Sequence, residues 1–331
     1  MDLDAFVTAH RDDWVRLDAL SRQRHLDGAQ ADELIDLYQR VATQLSVVRS
    51  AAPDPALVSR LSTLVARARA AATGSHDPAW RDVARFFTVS FPAALYRTRW
   101  WWSGAAAASL LLALAAGWWV ASDPQVQATV GSPAAIRQLV ENDFESYYSE
   151  YAATSFAARV WTNNAWVAAL CIAVGVLGLP VLYILFQNAF NLGLVGGLMA
   201  ANDRLGLFFG LILPHGLLEL TAVFVAAGTG LRLFWAWVDP GPRTRTQALA
   251  AEGRAAAAVA MGLVVVLAIS GVIEAFVTPS PLPTWARVGI GVLAEVAFLT
   301  YVFTLGRWAV AAGDVGDVEP ELAGDALPVR G

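Results

Sequence analysis

From residue 103 onward, long apolar runs alternate with short polar breaks, whereas residues 1–100 set apolar positions at helical spacing among many charges. In the amino-terminal part, Leu34, Leu37, Tyr38, Val41, Leu45 and Val48 recur on one helical face, and Leu57, Leu61, Leu64, Val65 and Ala68 on another. Pro53-Asp54-Pro55 separates the two, with Asp54 placed to cap and Pro55 to open the following helix. Phe6, Trp14, Leu17 and Leu20 outline an earlier helix, and Gly74 is a plausible stop. The pattern predicts a three-helix domain over 1–76. Three short helices bury little surface, so this unit is expected to need the rest of the chain.

Residues 77–102 mix Trp80, Phe86, Phe87 and Phe91 with Arg81, Arg85, Arg97 and Arg99, which predicts an amphipathic interfacial helix kinked at Pro92. Trp100, Trp101 and Trp102 form an aromatic anchor behind it. The remainder, 103–308, predicts an all-α polytopic membrane bundle. About six transmembrane helices are expected, near 103–121, 163–185, 187–201, 206–236, 256–277 and 286–308, with Pro180 bending the second. Residues 122–160 form a loop whose stretch 134–151 is amphipathic. It carries Ile136, Leu139, Val140, Phe144, Tyr147 and Tyr151 on one side and Glu141, Asp143, Glu145 and Glu150 as acids. The last stretch, 309–331, reads as a disordered acidic tail.

Composition sharpens this picture. Only 15% of the 331 residues are charged and 56% are hydrophobic, whereas soluble domains average about 25% charged. All cationic side chains are arginine. Arginines before the first span and in the loop 239–255 place those segments, and both termini, in the cytoplasm. Residues 122–160 and 278–284 then lie outside. The net charge of −5 argues against nucleic acid as a partner. Cys171 is the single cysteine, which excludes an intrachain disulfide or a cysteine metal cluster. The acidic start, with Asp2, Asp4, Asp12 and Asp13, is no signal peptide.

The candidate chemistry lies inside the spans. Pro214-His215-Gly216-Leu217-Leu218-Glu219 sits deep in the fourth apolar segment, and His215 and Glu219 share a helical face. Both are costly in lipid and should face the bundle interior. A His–Glu contact that locks helices together is the favoured reading; an ion, proton or metal-pair site is the alternative. Asn163 and Asn164 open the second span, and Asn188 and Asn191 share a face of the third, where Gly193 and Gly197 form a small-xxx-small pair suited to packing. Glu274 reads as a solvated carboxylate at the outer interface, whereas Glu295 lies mid-span and needs a partner. No HExxH, nucleophile elbow, P-loop or dinucleotide fingerprint is present, and no other histidine lies in a span. Neither a metal site, nor a cofactor, nor an enzymatic activity is expected.

These elements resemble the stage II sporulation protein M family, also described as DUF95. The resemblance rests on Asn163-Asn164, Asn191-Leu192-Gly193, the run Pro214 to Ala222, Gly228-Thr229-Gly230-Leu231, and Glu274 with Thr278-Pro279. It covers about 160–280, and residues 1–100 look like the amino-terminal extension of actinobacterial members. The resemblance implies a non-enzymatic, multi-span protein of the bacterial plasma membrane. The family's founding member anchors cell-wall hydrolases at the septal membrane during engulfment, although many relatives occur in bacteria that never sporulate. The leading expectation is therefore a scaffold for envelope or peptidoglycan-remodelling partners, in contact with membrane lipids and open to self-association. A transporter, channel or lipid-moving protein using the His/Glu/Asn residues is the alternative.

Overall fold

A computed structural model of the protein describes residues 3–23, 26–51, 54–72, 79–146 and 153–316. Among the described residues every regular element is helical and there is no strand. The chain divides into two units, Met1–Val83 and Ala84–Gly331.

The first unit holds α1 (Leu3–Ser21), α2 (Gly28–Ala51) and α3 (Pro55–Ala72). Its helix starts follow local chemistry. Asp27 and Gln30 cap each other reciprocally at the head of α2, and the Asp54 carboxylate accepts the Leu57 amide at 2.8 Å while Pro55 opens α3. The apolar faces meet in one core of Trp14, Leu17, Leu20, Leu34, Leu37, Val41, Leu45, Val48, Leu61, Leu64 and Ala68. Trp14 satisfies its indole N–H on Gln44 at 2.7 Å. Arg16–Glu33 and Arg67–Asp18 ion pairs tie the rims. Gly74 and Pro53 lie outside the described residues.

α4 (Ala79–Arg85) crosses the division between the units, and the second unit goes on with a π-helical turn over Phe86–Ser90, α5 (Phe91–Arg97) and α6 (Arg99–Ser122). The expected interfacial helix over 77–102 is thus broken, and its later half is core: Phe91, Ala94 and Leu95 are buried in the main cluster of the bundle. Pro92 starts α5 instead of kinking a longer helix. The tryptophan anchor splits too. Trp100 faces outward at 75% exposure, while Trp102 is buried and donates its indole N–H to the Leu95 carbonyl at 2.9 Å.

After α6 come α7 (Pro124–Val130), α8 (Pro133–Gln138), a π turn over Leu139–Asp143 and α9 (Phe144–Ser146). Ile136, Leu139, Val140 and Phe144, the apolar side of the amphipathic stretch, pack against Val120, Leu198, Met199 and Phe208. That side is therefore covered by the protein's own core. Tyr147, Glu150 and Tyr151 lie outside the described residues.

The rest of the bundle is α10 (Ala153–Ala173), a 3-10 turn over Gly175–Leu177, α11 (Leu179–Ala201), α12 (Leu205–Val238), α13 (Arg245–Val272) with a π turn over Ile273–Val277, α14 (Thr284–Tyr301), a π turn over Val302–Gly306 and α15 (Arg307–Ala311). Among the described residues, five helices are long and apolar enough to cross a membrane: Arg99–Ser122, Leu179–Ala201, Leu205–Val238, Arg245–Val277 and Thr284–Ala311. The sixth expected span corresponds to α10, which joins the same bundle but carries Asn163 and Asn164 and falls short of that apolarity. The break expected at Phe186-Gln187 falls instead at 174–178, where Gly178 adopts φ 70° and Pro180 opens α11 without bending it. The expected loop 239–255 is shorter, because Thr244 and Gln247 form a capping box that starts α13 at Arg245. The tail is anchored through residue 316: Arg97 donates to the Val315 carbonyl and Gly316 lies against Ala94. Residues 317–331 lie outside the described residues.

α12 is the central helix. Within its most apolar stretch 61% of residues are buried, against 11% for the last spanning helix. Leu111, Leu114, Leu182, Val264, Val265, Leu293 and Val296 point outward on the other spans. Such apolar exteriors suit hydrocarbon as solvent.

Candidate functional site

Pro214 lies inside α12. Having no N–H, it cannot bond the Gly210 carbonyl, so the helix is locally weakened there. Neighbouring helices pack into that weak point. Gly291 of α14 lies so close to the Leu213 and Pro214 carbonyls that a Cβ would collide with them. Ser270 of α13 donates its hydroxyl to the His215 carbonyl at 3.0 Å.

His215 is 5% exposed. Its Nδ1 faces the Thr278 hydroxyl at 3.2 Å, and its Nε2 lies 3.6 Å from Oε1 of Glu274. Glu219, one turn further along α12, accepts the Asn164 amide of α10 at 2.5 Å. One donor atom each from His215, Glu219 and Glu274 lie within 4.8 Å of one another. The helical spacing places donor atoms of His215 and Glu219 within 4.8 Å of each other, but the hydrogen bonds and the close carboxylate contact described here run to other segments: Thr278 and Glu274 for His215, Asn164 for Glu219.

Glu274 corrects the sequence reading. It is 3% exposed and faces His215, not solvent. It lies four residues after Ser270, so helical spacing puts both on the face of α13 that meets His215, and the π turn at Ile273–Val277 begins only there. Glu295 is half-buried and accepts the Thr221 hydroxyl at 2.9 Å. Asn188 and Asn191 are exposed on α11, and Asn188 bonds the Ile184 carbonyl of its own helix. They do not join the cluster. Asn163 is exposed and donates to Asn164 at 3.3 Å. Gly216 is buried beside Ile212.

Sequence reasoning missed Ser270 and Thr221 as partners; a lone hydroxyl within an apolar run was the available signal. It also missed a second polar centre. Glu252, 4% exposed, accepts from Arg232 at 3.1 Å and from Arg97 at 3.4 Å. The Thr244-x-x-Gln247 capping pattern extends α13 back over Glu252 and was the legible clue.

Among the described residues, three atoms are buried without a hydrogen-bond partner: Oε2 of Glu274, Oε2 of Glu295 and Nε of Arg287. Neither Glu219 nor Glu274 makes an ion pair with an arginine among the described residues. Among the described residues, recesses of about 230, 320 and 300 Å³ open between helices, lined by apolar groups such as Ile172, Leu185 and Val266. None of the three is lined by His215, Glu219, Glu274 or Glu295.

Comparison with known proteins adds an independent line. Stage II sporulation protein M, as a family, matches residues 106–279, and a domain of unknown function (DUF8413) matches residues 4–74. An uncharacterized protein of Methanocaldococcus jannaschii is 37% identical over 76 residues, a stretch that covers 22% of this chain and 43% of that relative. The chain thus spans less than half the length of that curated relative. No solved structure matches. The family match contains the whole cluster, from Asn164 to Thr278.

Proposed function

The chain belongs to the stage II sporulation protein M family of membrane proteins, and we propose that it acts as an integral membrane scaffold for cell-envelope partners, without catalytic activity of its own. The observation that carries this reading is how the polar side chains of the spans are used. Asn164–Glu219, His215–Thr278, Ser270–His215 and Thr221–Glu295 are all ties between segments distant in sequence. Intramembrane polar contacts of that kind hold helices in register. The three recesses described above are lined by apolar groups.

In this proposal the protein resides in the plasma membrane of a bacterium, with both termini in the cytoplasm, and it gathers envelope proteins such as cell-wall hydrolases at a membrane site. A transport role is the second reading, favoured by the orphan oxygen of Glu295, since an unmatched carboxylate inside a membrane is a common mark of an ion path. Deletion of the gene, complemented by Glu219→Gln, separates the two. The scaffold reading expects hydrolases to disperse on deletion and to regain their sites in proportion to the amount of folded variant. A Gln variant as abundant and stable as the wild type that nonetheless fails to complement would reject the scaffold in favour of transport.

A further inference from the structure

We propose that His215, Glu219 and Glu274 bind a divalent first-row transition-metal ion that pins α12 to the end of α13. One donor atom of each lies within 4.8 Å of the others. Ligand–ligand separations around a tetrahedral ion with bonds of about 2.0–2.2 Å are roughly 3.5 Å, so small side-chain rotations close the site.

Three further observations point to a ligand. Glu274 is 3% exposed, faces the other two groups and keeps Oε2 buried without a hydrogen-bond partner. Two carboxylates face each other with no arginine among the described residues paired to either, and a dication supplies the missing charge. His215 directs Nδ1 to the Thr278 hydroxyl, which leaves Nε2 toward Glu274, the arrangement by which an outer partner orients a ligating imidazole. The donor set of one imidazole and two carboxylates suits zinc or manganese better than soft copper(I) or a purely oxygen-seeking ion. Asn164 donates its amide to Glu219 at 2.5 Å, an outer hydrogen bond that orients this carboxylate. The inference is independent of the scaffold role, since either function could use a metal-pinned bundle.

The test uses the untagged full chain in detergent micelles, stripped with chelator and titrated with zinc. Expected results are one zinc retained per chain after gel filtration, a rise of several degrees in Tm, and cobalt(II) d–d absorption displaced by zinc. Glu274→Gln preserves shape and should lose at least tenfold in zinc affinity, along with the Tm response. Glu219→Gln is a second variant should the first fail to fold, and the cobalt spectrum of the wild type stands without either. The other three histidines of the sequence are His10, His25 and His76, and zinc bound through them would persist in both variants. Absence of zinc uptake by the wild type, or unchanged uptake in a folded variant, would overturn the proposal.

Discussion

At the scale of residues, the cluster shows how spacing and partnership differ. Four residues of separation put His215 and Glu219 on one face, yet Asn164 on α10 and Thr278 beyond α13 supply their hydrogen bonds. Truncating either member of the half-buried Asn164–Glu219 pair strands its partner's polar group, at about 1–3 kcal/mol as an upper range. Asn164→Ala and Glu219→Ala should each lower the Tm of the detergent-solubilised chain, and the double variant should be little worse than the poorer single. Strict additivity of the two losses in a double-mutant cycle would show that the pair is not coupled. Glu219 was legible as an interior residue from its cost in lipid. Its partner was not, because no sequence rule says which helix will lie beside it.

At the scale of elements, close helix packing rests on small residues. Gly193 and Gly197 of α11 lie against Ala113 and Gly117 of α6, so near that a Cβ on either would strike a carbonyl oxygen. The matched order of these contacts means the two helices run in the same direction. With little apolar driving force between helices in lipid, such close approach supplies much of the attraction. Gly193→Leu should therefore force the pair apart, lowering Tm and folded yield by more than the ~1–3 kcal/mol of ordinary overpacking, because backbone and not a movable side chain is struck. Measuring folded yield by gel filtration beside Gly104→Leu gives the control, since a Cβ at Gly104 meets nothing. Equal yields would remove the α6–α11 seam as a structural determinant. The π turns at Phe86–Ser90 and Ile273–Val277 were invisible to periodicity, since their residues read as ordinary helix formers.

At the scale of the whole molecule, the order of helices in the second unit fits the three spans expected between residues 160 and 239. α6 and α11 run parallel, as they must if α10 returns the chain between them. With Cys171 replaced by Ala, a cysteine at Glu141 should react with an impermeant thiol reagent added to intact cells, and one at Arg245 only after the membrane is opened. The reverse pattern would invert the topology. Glu141 serves well because its side chain is exposed while Val140 beside it is buried.

The sequence alone determined the all-helical membrane architecture, the three-helix amino-terminal unit and the interior placement of His215 and Glu219. Those follow from the period of apolar positions, from capping residues such as Asp54 and Pro55, and from the cost of a charge in hydrocarbon, all of which act locally. Only the tertiary structure decided that Glu274 turns inward while Asn188 and Asn191 turn outward, that Phe91 and Leu95 belong to the core, and that Ile136 and Phe144 are already covered. Each depends on which neighbour covers a face. A side chain's solvent is set by helices tens of residues away, and those leave no trace in local spacing.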